Sequence, residues 1–501
     1  MLSKVYAPAL LSLEGELVEI ECDLANGLPG FVMVGLADKA VDEARERVRS
    51  AIKNSGLLLP PKRITLNLAP ADLPKDGTGY DLGMAVAILV ASGQVQTEMV
   101  KGALFLGELA LDGSLRPVKG AVLAAQLAKE RSFTHVYVPA ANATEAALLD
   151  DIKVIAIDSL GQLYHHLLGH QPLSVVYKTT VKPIEPAEAA VNMQHVYGQQ
   201  QAKRALEVAA AGGHNLLLSG PPGSGKTLLA RALLGLLPPP SFEEILEITK
   251  LHSLAGLNHE GIMCQRPLRA PHHTASSTAL IGGGAIPRPG EISLSHRGIL
   301  FLDELPEFPR AVLEVLRQPL EDGHVTISRA ARSATYPARF MLVGTRNPCP
   351  CGYAGDKRRC TCRQYQIIQY QKRLSGPLLD RIDLIIEVQP VNHEELVRRQ
   401  PGESSQAIAA RVAAARQLQA ERFGSDTIQL NSQMDNKLLR RHCQIDAETA
   451  NLARHAISRL GLSARGYGRT LKLARTIADL GGSETIKISH FSEALQYRGR
   501  N

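Results

Sequence analysis

The sequence predicts an α/β protein with a nucleotide-binding core, a second α/β domain before it and a helical region after it. Three observations support this fold class. An apolar run at 215–219 leads through the glycine-rich segment GPPGSGKT at 220–227 into a helical pattern. A second apolar run, GILFLDE at 298–304, ends in two carboxylates. From about residue 390 the apolar residues recur at helical spacing, which predicts a helical lid.

The composition is that of a soluble globular protein. At 501 residues the chain is too long for one hydrophobic core, so we expect several domains. Hydrophobic residues make up 45% and charged residues 21%, which argues against a disordered or fibrous chain. The net charge of +7 fits an anionic partner such as a nucleic acid. Without a secretory pattern or an apolar run long enough to span a bilayer, we expect a cytoplasmic protein with no membrane partner.

Changes in pattern and composition divide the chain into four parts. Strand-like runs at 16–22, 63–68 and 135–138 alternate with a helical pattern at 40–52, which predicts an α/β domain. A stretch of prolines and polar residues reads as a linker. The expected parts are an N-terminal α/β domain at 1–170, the linker at 171–192, the nucleotide-binding core with a parallel sheet at 193–390 and the helical lid at 391–501.

The segment LAPADLPKDGTGYDLGMAVA at 68–87 resembles the active-site segment of Lon-type proteases. Gly79 stands at the position of the nucleophilic serine, and Lys119 within LRPVKGAVLAA falls where that family has the lysine of its Ser-Lys dyad. A base without its nucleophile cannot form an acyl-enzyme. The resemblance implies a Lon-protease-like (ribosomal S5-like) α/β domain that lacks the catalytic serine and serves as a scaffold or binding surface.

The glycine-rich segment matches the pattern G-x4-G-K-[ST] of a phosphate-binding loop. Glycines let backbone N–H groups turn toward the phosphates, and the following helix presents its N-terminus to the negative charge. Lys226 is expected to reach the β- and γ-phosphates of ATP, and Thr227 to bind Mg²⁺ through its hydroxyl. The remaining expected contacts to the nucleotide are Gly220, Pro221, Pro222, Gly223, Ser224 and Gly225.

The segment VYGQQQAKRAL at 196–206 precedes the phosphate loop along the chain. It is similar to the segment that packs against adenine in AAA+ ATPases. The resemblance implies that Val196, Tyr197 and Gly198 contact the nucleotide. The alternative is an ordinary amphipathic surface helix.

The apolar strand at 298–304 has the form of a Walker B strand. A buried strand has no need of terminal carboxylates, whereas a hydrolytic site uses them. Asp303 is expected to orient Mg²⁺ and its water, and Glu304 to polarise the attacking water.

The stretch at 266–290, between the two nucleotide elements, is rich in glycine, proline, serine and basic residues. It cannot form one regular helix, and a long ordered insertion of this kind is usually functional. Arg266, Arg269 and Arg288 are candidates for contacts with DNA phosphates. Contact with a neighbouring subunit is the alternative.

A helix is expected at 309–323, followed by a hairpin at 325–344 with Arg329 and Arg332 near its tip. Tips of such hairpins project into the central pore in the MCM and magnesium-chelatase branch of AAA+ ATPases, which implies DNA contacts for the two arginines. Solvated surface charge is the alternative.

Four of the seven cysteines lie within 349–362. The two C-x-C pairs, Cys349 with Cys351 and Cys360 with Cys362, offer four soft thiolates, for which Zn²⁺ is the preferred ion. Redox thiols and an unused relic of a metal site remain open, because the spacing is tighter than the usual C-x2-C. In the loop between the pairs, the basic residues proposed to contact DNA phosphate are Lys357 and Arg358.

Three further residues resemble catalytic residues of AAA+ ATPases. Asn347, which follows a strand at 340–344, resembles the sensor 1 amide that orients the lytic water. Arg381 in LLDRIDL resembles an arginine finger that reaches the γ-phosphate of the adjacent subunit, with a structural salt bridge to a neighbouring aspartate as the alternative. Arg469, at the entry to a helix predicted at 470–480, resembles a sensor 2 arginine.

The lid is expected to contain long helices at 404–423 and 447–460 before the one at 470–480. Arg465 and Arg475 compete with Arg469 for the sensor 2 role. An arginine that joins the lid to the nucleotide would link hydrolysis to domain motion.

Taken together, these segments cover nearly the whole chain and identify it as a member of the YifB/ComM family of magnesium-chelatase-like AAA+ ATPases. The segment NPCPCGY, the Lon-like domain without its serine and the lid occur together in that family. Arg346 departs from the family pattern, since a small or apolar residue is expected before the asparagine.

The resemblance implies a homo-hexameric ATP- and Mg²⁺-dependent helicase that promotes branch migration of recombining DNA in natural transformation. Single-stranded and branched double-stranded DNA, with recombination proteins, are the implied partners. Two other functions remain open: an ATPase subunit of a magnesium or cobalt chelatase, and a regulatory or chaperone-like ATPase with no DNA role.

Overall fold

A computed structural model shows a mixed α/β protein with a helical C-terminal region, as predicted. It describes residues 2–35, 39–178, 181, 191–258, 261–284, 286–328, 333–356, 358–390, 402–424 and 428–498. Among these residues, no helix is both long and apolar enough to cross a membrane.

The N-terminal region is built on an eight-stranded mixed sheet with the order β10-β9-β8-β5-β1-β2-β4-β3. The predicted strands at 16–22, 63–68 and 135–138 are confirmed as β2, β4 and β8. The strands are β1 (Leu2–Ala9), β2 (Glu16–Ala25), β3 (Gly30–Val34), β4 (Arg63–Ala69), β5 (Ala103–Phe105), β8 (His135–Pro139), β9 (Lys153–Ile157) and β10 (Val175–Val176), with a separate pair β6 (Glu108–Leu109) and β7 (Leu115–Arg116).

Helices pack against this sheet and share its hydrophobic core. The helix Asp81–Ala91 is buried along its whole length, because its side chains are almost all apolar. The described helices of this region are Lys39–Asn54, Asp81–Ala91, Ala121–Glu130, Ala143–Ala146 and Leu160–Leu167, with short 3₁₀ turns at Thr97–Val100 and Ala140–Asn142.

The nucleotide-binding core contains a five-stranded sheet with the order β12-β15-β18-β11-β19, in which every neighbouring pair is parallel. Its strands are β12 (Leu268–Arg269), β15 (Ile299–Leu302), β18 (Met341–Arg346), β11 (Leu216–Ser219) and β19 (Leu384–Glu387). The strands β11 and β15 are fully buried, as their apolar runs predict. Because all five strands run the same way, their carboxyl ends meet at one edge of the sheet.

Smaller elements surround this sheet. Among the described residues, two antiparallel strand pairs lie beside it, β13 (Gly282–Gly283) with β14 (Arg288–Pro289), and β16 (His324–Ser328) with β17 (Ser333–Pro337). The helices of the core are Gln200–Gly212, Lys226–Ala232, Phe242–Ala255, Ser277–Ile281, Glu291–Leu294, Arg310–Glu314, Arg317–Asp322, Gln364–Gln371 and Gly376–Leu379, with 3₁₀ turns at Met193–His195, Leu233–Leu236 and Leu305–Glu307. As expected, 266–290 forms only short helices and strands.

The helical lid packs against the core helix Gln200–Gly212. Its Gln419 side chain donates to Ala211 O at 3.0 Å, and Arg416 donates from Nη2 to Ala210 O at 2.8 Å. These bonds satisfy carbonyls at the C-terminal end of the core helix. The lid helices are Ser405–Phe423, Asn436–His442, Ala447–Leu460, Ala464–Leu480 and Ile488–Gln496, with a 3₁₀ turn at Asn431–Gln433.

Two predicted helices differ from the structure. The single helix expected at 309–323 is two short helices that break near Val315, because Pro319 has no N–H to donate to the carbonyl of Val315. The last long lid helix begins at Ala464 rather than near 470. Ser463 caps it, with its Oγ accepting from Gly466 N at 3.1 Å, so Gly466 and Gly468 lie inside the helix and Arg469 is in its second turn.

The N-terminal domain contacts the core through a buried polar cluster. Gly120 N donates to Ser253 Oγ at 2.8 Å, the Ser253 hydroxyl donates to Glu145, and Asn258 Nδ2 donates to Glu145 Oε2 at 3.1 Å. Burial raises the pKa of Glu145, and the hydrogen bonds it accepts oppose that rise. The two domains are therefore joined by a specific hydrogen-bonded contact.

Candidate nucleotide-binding site

The phosphate loop connects β11 to the helix Lys226–Ala232, as its sequence pattern predicts. Gly223 and Gly225 adopt φ values of 76° and 87°, which glycine reaches without the steric cost that a side chain brings. Gly220 has a different reason to be glycine, since a Cβ there would lie 2.3 Å from Val388 O. The loop therefore needs glycine both for its turns and for its close approach to the end of β19.

Lys226 lies folded back over the loop. Its Nζ donates to Gly220 O and Pro221 O, both at 2.8 Å, and to Asn347 Oδ1 at 3.3 Å. Burial lowers the pKa of Lys226, and the charges of Asp303 and Glu304 oppose that shift. The ammonium group is thus held at the loop by neutral oxygens that a phosphate can replace.

The two Walker elements meet at a hydroxyl–carboxylate contact. Thr227 Oγ1 donates to Asp303 Oδ2 at 3.1 Å, so the two oxygens predicted to serve Mg²⁺ are neighbours. Hydroxyl and carboxylate oxygens are the hard ligands that Mg²⁺ takes, so the residues fit this ion. Asp303 comes directly after β15 at the carboxyl edge of the sheet.

Thr345 is a further residue of this site that no sequence motif singles out. Its Oγ1 donates to Asp303 Oδ1 at 2.5 Å and accepts from Glu304 N at 2.9 Å. Glu304 itself has a left-handed backbone with φ 52°, which is rare for a residue with a side chain and costs energy. The only sequence signal for Thr345 is its place two residues before Asn347, near the end of β18.

Asn347 and Arg346 make contacts to different elements. The amide oxygen of Asn347 is the one that accepts from Lys226, whereas Arg346 donates from Nε to Ser219 Oγ at 3.2 Å on β11. Burial lowers the pKa of Arg346. The unexpected arginine therefore packs on the neighbouring strand and leaves Asn347 in contact with the phosphate loop.

The segment predicted to meet adenine lies beside the loop. Val196 is buried in the core shared with the lid, Tyr197 is half-buried, and Gly198 has φ 62°. The next residue, Gln199, donates from Nε2 to Gln389 O and, at 3.4 Å, to Ser224 O in the phosphate loop. The segment predicted to meet adenine and the phosphate loop are therefore in direct contact.

Arg381 and Arg469 lie at the opposite edge of the sheet from Lys226. The backbone N–H of Asp383 donates to Asn215 O at 3.0 Å, and this bond places the nearby Arg381 beside the start of β11. Arg469 lies at the same place, because its Nε is 3.9 Å from Asp383 Oδ1. The phosphate loop follows the other end of that strand, and four residues of strand span about 13 Å. The structure therefore brings the two arginines together but separates them from the phosphate loop of the same chain.

The two arginines line a cleft of about 550 Å³. Arg381 donates from Nη1 to Pro377 O at 2.6 Å and pairs with Glu321. Yet Arg381 Nε and Arg469 Nη1, both buried, find no hydrogen-bond partner among the described residues. Buried donors without acceptors are costly, so both groups are suited to an anion that enters the cleft. Other cationic residues that line it are Arg266, Arg297, Arg339, Arg416 and Lys472.

The competing sensor 2 arginines have other surroundings. Arg475 is almost fully buried and donates to Asp479 Oδ1 at 3.0 Å and Glu484 O at 2.6 Å, which makes it part of the lid core. Arg465 is exposed. Arg469 alone of the three combines burial, an acidic neighbour and an open N–H group at the cleft.

The four cysteines predicted to hold a metal come together. Their sulfur atoms all lie within 4.8 Å of one another, with Cys349 Sγ 3.3 Å from Cys351 Sγ and 4.0 Å from Cys360 Sγ. A tetrahedral Zn²⁺ with Zn–S bonds of about 2.3 Å needs sulfurs about 3.8 Å apart. Hydrogen bonds from backbone N–H groups lower the pKa of Cys351, whereas burial and the neighbouring thiols raise the pKa values of Cys360 and Cys362. The residues present fit Zn²⁺, with Cys362 as the fourth ligand.

The arginines predicted to contact DNA occupy unequal positions. Arg266 is largely buried, with Nη2 2.7 Å from Glu244 Oε2, and Arg269 Nε lies 2.6 Å from Glu291 Oε2. Both pairs tie the insertion at 266–290 to the core. The insertion's Arg288 is more exposed and only loosely paired, 3.5 Å from Asp76 Oδ2.

Arg358 is exposed on the cysteine loop, where its backbone N–H bonds Asp356. Arg329, Arg332 and Lys357 lie outside the described residues. The two strands that lead to the predicted hairpin tip, β16 and β17, form the expected antiparallel pair.

The Lon-like segment surrounds a cleft of about 310 Å³. A Cβ on Gly79 would lie 2.8 Å from Leu106 Cδ1, so a serine would not fit here without displacing a buried leucine. Lys119 packs against Gly256 of the core, and Pro287 from the 266–290 insertion lines the same cleft. Gly79 therefore supplies no nucleophile, and a side chain at this position would have to shift Leu106.

Comparison with protein families covers most of the chain. Residues 192–396 match the family described as magnesium chelatase, subunit ChlI, and residues 402–498 match its C-terminal family. Residues 20–142 match the family described as subunit ChlI of Mg-chelatase.

Several relatives match from end to end. The chain is 45% identical to competence protein ComM of Haemophilus influenzae and 45% identical to the uncharacterized protein YifB of Escherichia coli, over 99% of this chain and 97% of each relative. It is 26% identical to magnesium-chelatase subunit ChlI of Porphyra purpurea, over 64% of this chain and 88% of the relative.

Proposed function

The chain belongs to the YifB/ComM family of magnesium-chelatase-like AAA+ ATPases, and we propose that it is an ATP-driven DNA translocase that works as a homo-hexameric ring. In this proposal it promotes branch migration in the cytoplasm during homologous recombination of incoming DNA in natural transformation. Its substrates are single-stranded and branched double-stranded DNA, and recombination proteins are its partners. ComM, with 45% identity, carries the link to competence.

The observation that carries the proposal is the separation of the catalytic residues between two edges of one sheet. Lys226 and Asp303 lie at the carboxyl edge, whereas Arg381 and Arg469 lie at the amino edge, where each has an N–H group with no acceptor among the described residues. Within one chain, the described residues do not bring the two sets together. A ring in which the amino edge of one subunit faces the carboxyl edge of the next completes the site at every interface, and closed cyclic assembly is the common outcome of such head-to-tail contacts.

The chain's own residues then divide the work of hydrolysis. Lys226 leaves its backbone acceptors to bind the β- and γ-phosphates, and Thr227 and Asp303 hold the Mg²⁺. When bound, Mg²⁺ neutralises charge that develops on the phosphate oxygens. Glu304 polarises the attacking water and Asn347 orients it by hydrogen bonding. These assignments make hydrolysis depend on neighbours that supply Arg381 and Arg469.

Movement along DNA requires contacts to phosphate rather than to bases. The net charge of +7 favours polyanions, and contacts of this kind are independent of sequence and weakened by salt. Arg288 and Arg358 are the described candidates with exposed side chains. Arg329 and Arg332 at the hairpin tip remain proposed pore contacts. Arg266 and Arg269, which are held by carboxylates, would need to exchange those partners to reach DNA.

A second candidate function is an ATPase subunit that drives metal insertion into a tetrapyrrole. The match to magnesium-chelatase subunit ChlI of Porphyra purpurea favours it. The four-cysteine cluster and the end-to-end match to ComM favour the DNA motor instead. A regulatory ATPase without a DNA role is the third possibility.

The decisive experiment follows strand movement on a four-way DNA junction and on a three-stranded substrate. Wild-type protein with ATP should migrate the branch, Lys226→Ala should not, and the exposed-site control Lys372→Ala should behave as wild type. DNA should also stimulate ATP hydrolysis, with an effect that falls as salt rises. Equal strand movement by wild type and Lys226→Ala, or none under any nucleotide, would refute the motor. ATP hydrolysis that ignores DNA would favour the other two functions.

A further inference from the structure

The cysteine segment at 349–362, which we call the cysteine knuckle, touches the phosphate loop directly. Gly352, between the two C-x-C pairs, is buried and has φ 85°. A Cβ built on Gly352 would lie 2.5 Å from Pro222 Cδ and 2.6 Å from Pro222 Cγ. Pro222 is one of the residues of the phosphate loop, and its ring cannot rotate away as a flexible side chain does. The knuckle therefore leaves no room for even one methyl group at this contact.

A second contact joins the knuckle to the same loop. Asn347, two residues before Cys349, accepts a hydrogen bond from Lys226 at 3.3 Å. Cys349 is fully buried, and its carbonyl accepts from Gly352 N at 2.9 Å, which closes a tight turn. The turn between Cys349 and Gly352 thus ties the two contacts together.

We propose that the cysteine knuckle positions the phosphate loop, so that metal binding at the four cysteines and ATP binding strengthen one another. The proposal rests on the nucleotide site proposed above and adds a role for Gly352 as a positioning residue. A metal held by Cys349, Cys351, Cys360 and Cys362 rigidifies the turn that carries Gly352.

The physical reason is that a glycine-rich loop has few contacts of its own to hold its shape. A Cβ built on Gly223 or Gly225 would have no atom within 4 Å, so these glycines add no packing to the loop. The shape of the loop therefore depends on the contacts that Pro222 and Lys226 make with neighbouring residues in and just before the knuckle. Fixing those neighbours lowers the entropy that the loop loses when it closes on phosphate. By linkage, whatever the metal adds to ATP affinity, ATP adds to metal affinity.

The test compares two glycines of the knuckle. Gly352→Ala and Gly355→Ala both place a side chain at positive φ, 85° and 96°, but Gly355 has nothing within 4 Å of its Cβ position. We expect Gly352→Ala to bind a non-hydrolysable ATP analogue about tenfold more weakly than wild type, within the usual range of coupling between sites. Gly355→Ala should bind it as wild type does. Zinc content and thermal stability, measured on all three, show whether the variants are folded.

A double variant checks that Pro222 transmits the effect. Removing the ring in Pro222→Ala should relieve the crowding and restore much of the affinity lost in Gly352→Ala. Measured as a double-mutant cycle, the two changes should be far from additive. Additive losses would overturn the contact as the cause.

The reciprocal measurement needs no variant and no DNA. A chelator is added to zinc-loaded wild-type protein, and the rate of zinc release is followed with and without the ATP analogue. The analogue should slow release at least about fivefold. Zinc release that ignores nucleotide, or protein that holds no zinc, overturns the coupling. Wild-type protein that binds no ATP would instead refute the proposed function, and an unchanged affinity in Gly352→Ala would refute the positioning role alone.

Discussion

The two edges of the five-stranded sheet differ in how far their polar groups are satisfied. At the carboxyl edge the polar groups form a closed set of hydrogen bonds. Thr227 and Thr345 both donate to Asp303, and Lys226 donates to Asn347. At the amino edge, Arg381 and Arg469 line a wide cleft and keep buried N–H groups without acceptors among the described residues. A closed set can be ready before the substrate arrives, whereas open donors need an anion from outside. The difference supports the proposal that the amino edge acts on a nucleotide bound by another subunit.

The strongest test of this comparison is Arg381→Ala. An arginine finger supplied in trans is worth about 10³- to 10⁵-fold in kcat, so ATP hydrolysis should fall by that order while ATP-analogue binding by the same chain changes little. The variant is assayed for steady-state ATPase rate and analogue affinity. The exposed Arg358→Ala is the control and should hydrolyse ATP normally without DNA.

The second prediction concerns Glu304→Gln at the carboxyl edge. Loss of the group that polarises water should lower hydrolysis by about 10²- to 10⁴-fold and leave ATP bound. Mixing the Glu304→Gln and Arg381→Ala proteins then tests whether the carboxyl edge of one subunit works with the amino edge of the next. Each variant retains what the other lacks, so mixed rings should hydrolyse ATP faster than either variant alone. If mixing restores nothing, the two edges do not meet across an interface.

A smaller loss is expected for Arg469→Ala. Arg469 faces the cleft with one open N–H group, and removing one such contact should slow hydrolysis about tenfold, or ~1.4 kcal/mol in the barrier. Arg465→Ala, which removes an exposed arginine one turn earlier in the same helix, is the matched control. A larger effect of Arg465→Ala would transfer the sensor 2 role to that residue.

The smallest expected effect is on acid stability at the amino edge. Burial alone would raise the pKa of Asp383, but the hydrogen bond from His214 and the charge of Arg469 outweigh it and hold the pKa below the usual 3.8. The carboxylate therefore stabilises the folded chain above its unfolded pKa, and this contribution is lost as pH falls through the lower folded value.

Asp383→Asn should consequently lose less stability than wild type between about pH 5 and about pH 3. Thermal unfolding at several pH values measures this, with the exposed Asp322→Asn as the control. Parallel declines in wild type and Asp383→Asn would show that the carboxylate does not hold this edge together.

The carboxyl edge was predictable from sequence, because its residues follow buried strands within short motifs. Asp303 and Asn347 each come directly after a strand of the same parallel sheet, and Lys226 follows the loop that leaves a third strand at the same edge, so their meeting follows from strand direction. The meeting of Arg381 with Arg469 was not predictable, since one precedes β19 and the other lies in a lid helix. The contact of Gly352 with Pro222 depends on how a loop folds onto a distant turn, which no local pattern encodes.

Errors in the predicted helices have local causes. The helical spacing of apolar residues continues through Pro319, so this spacing alone does not show that the proline lacks the N–H that a continuous helix needs. Gly466 and Gly468 have low helix propensity, but the Ser463 cap and the packing of this helix within the lid outweigh it.

The crowding at Gly79 bears on what a single substitution could do in the N-terminal domain. A Cβ at this position would lie 2.8 Å from Leu106 Cδ1, and Pro287 of the core lines the same cleft, held through its carbonyl by the Tyr336 hydroxyl at 2.7 Å. A serine introduced at residue 79 would therefore have to shift a buried leucine, and its hydroxyl would face a cleft that a second domain helps to enclose.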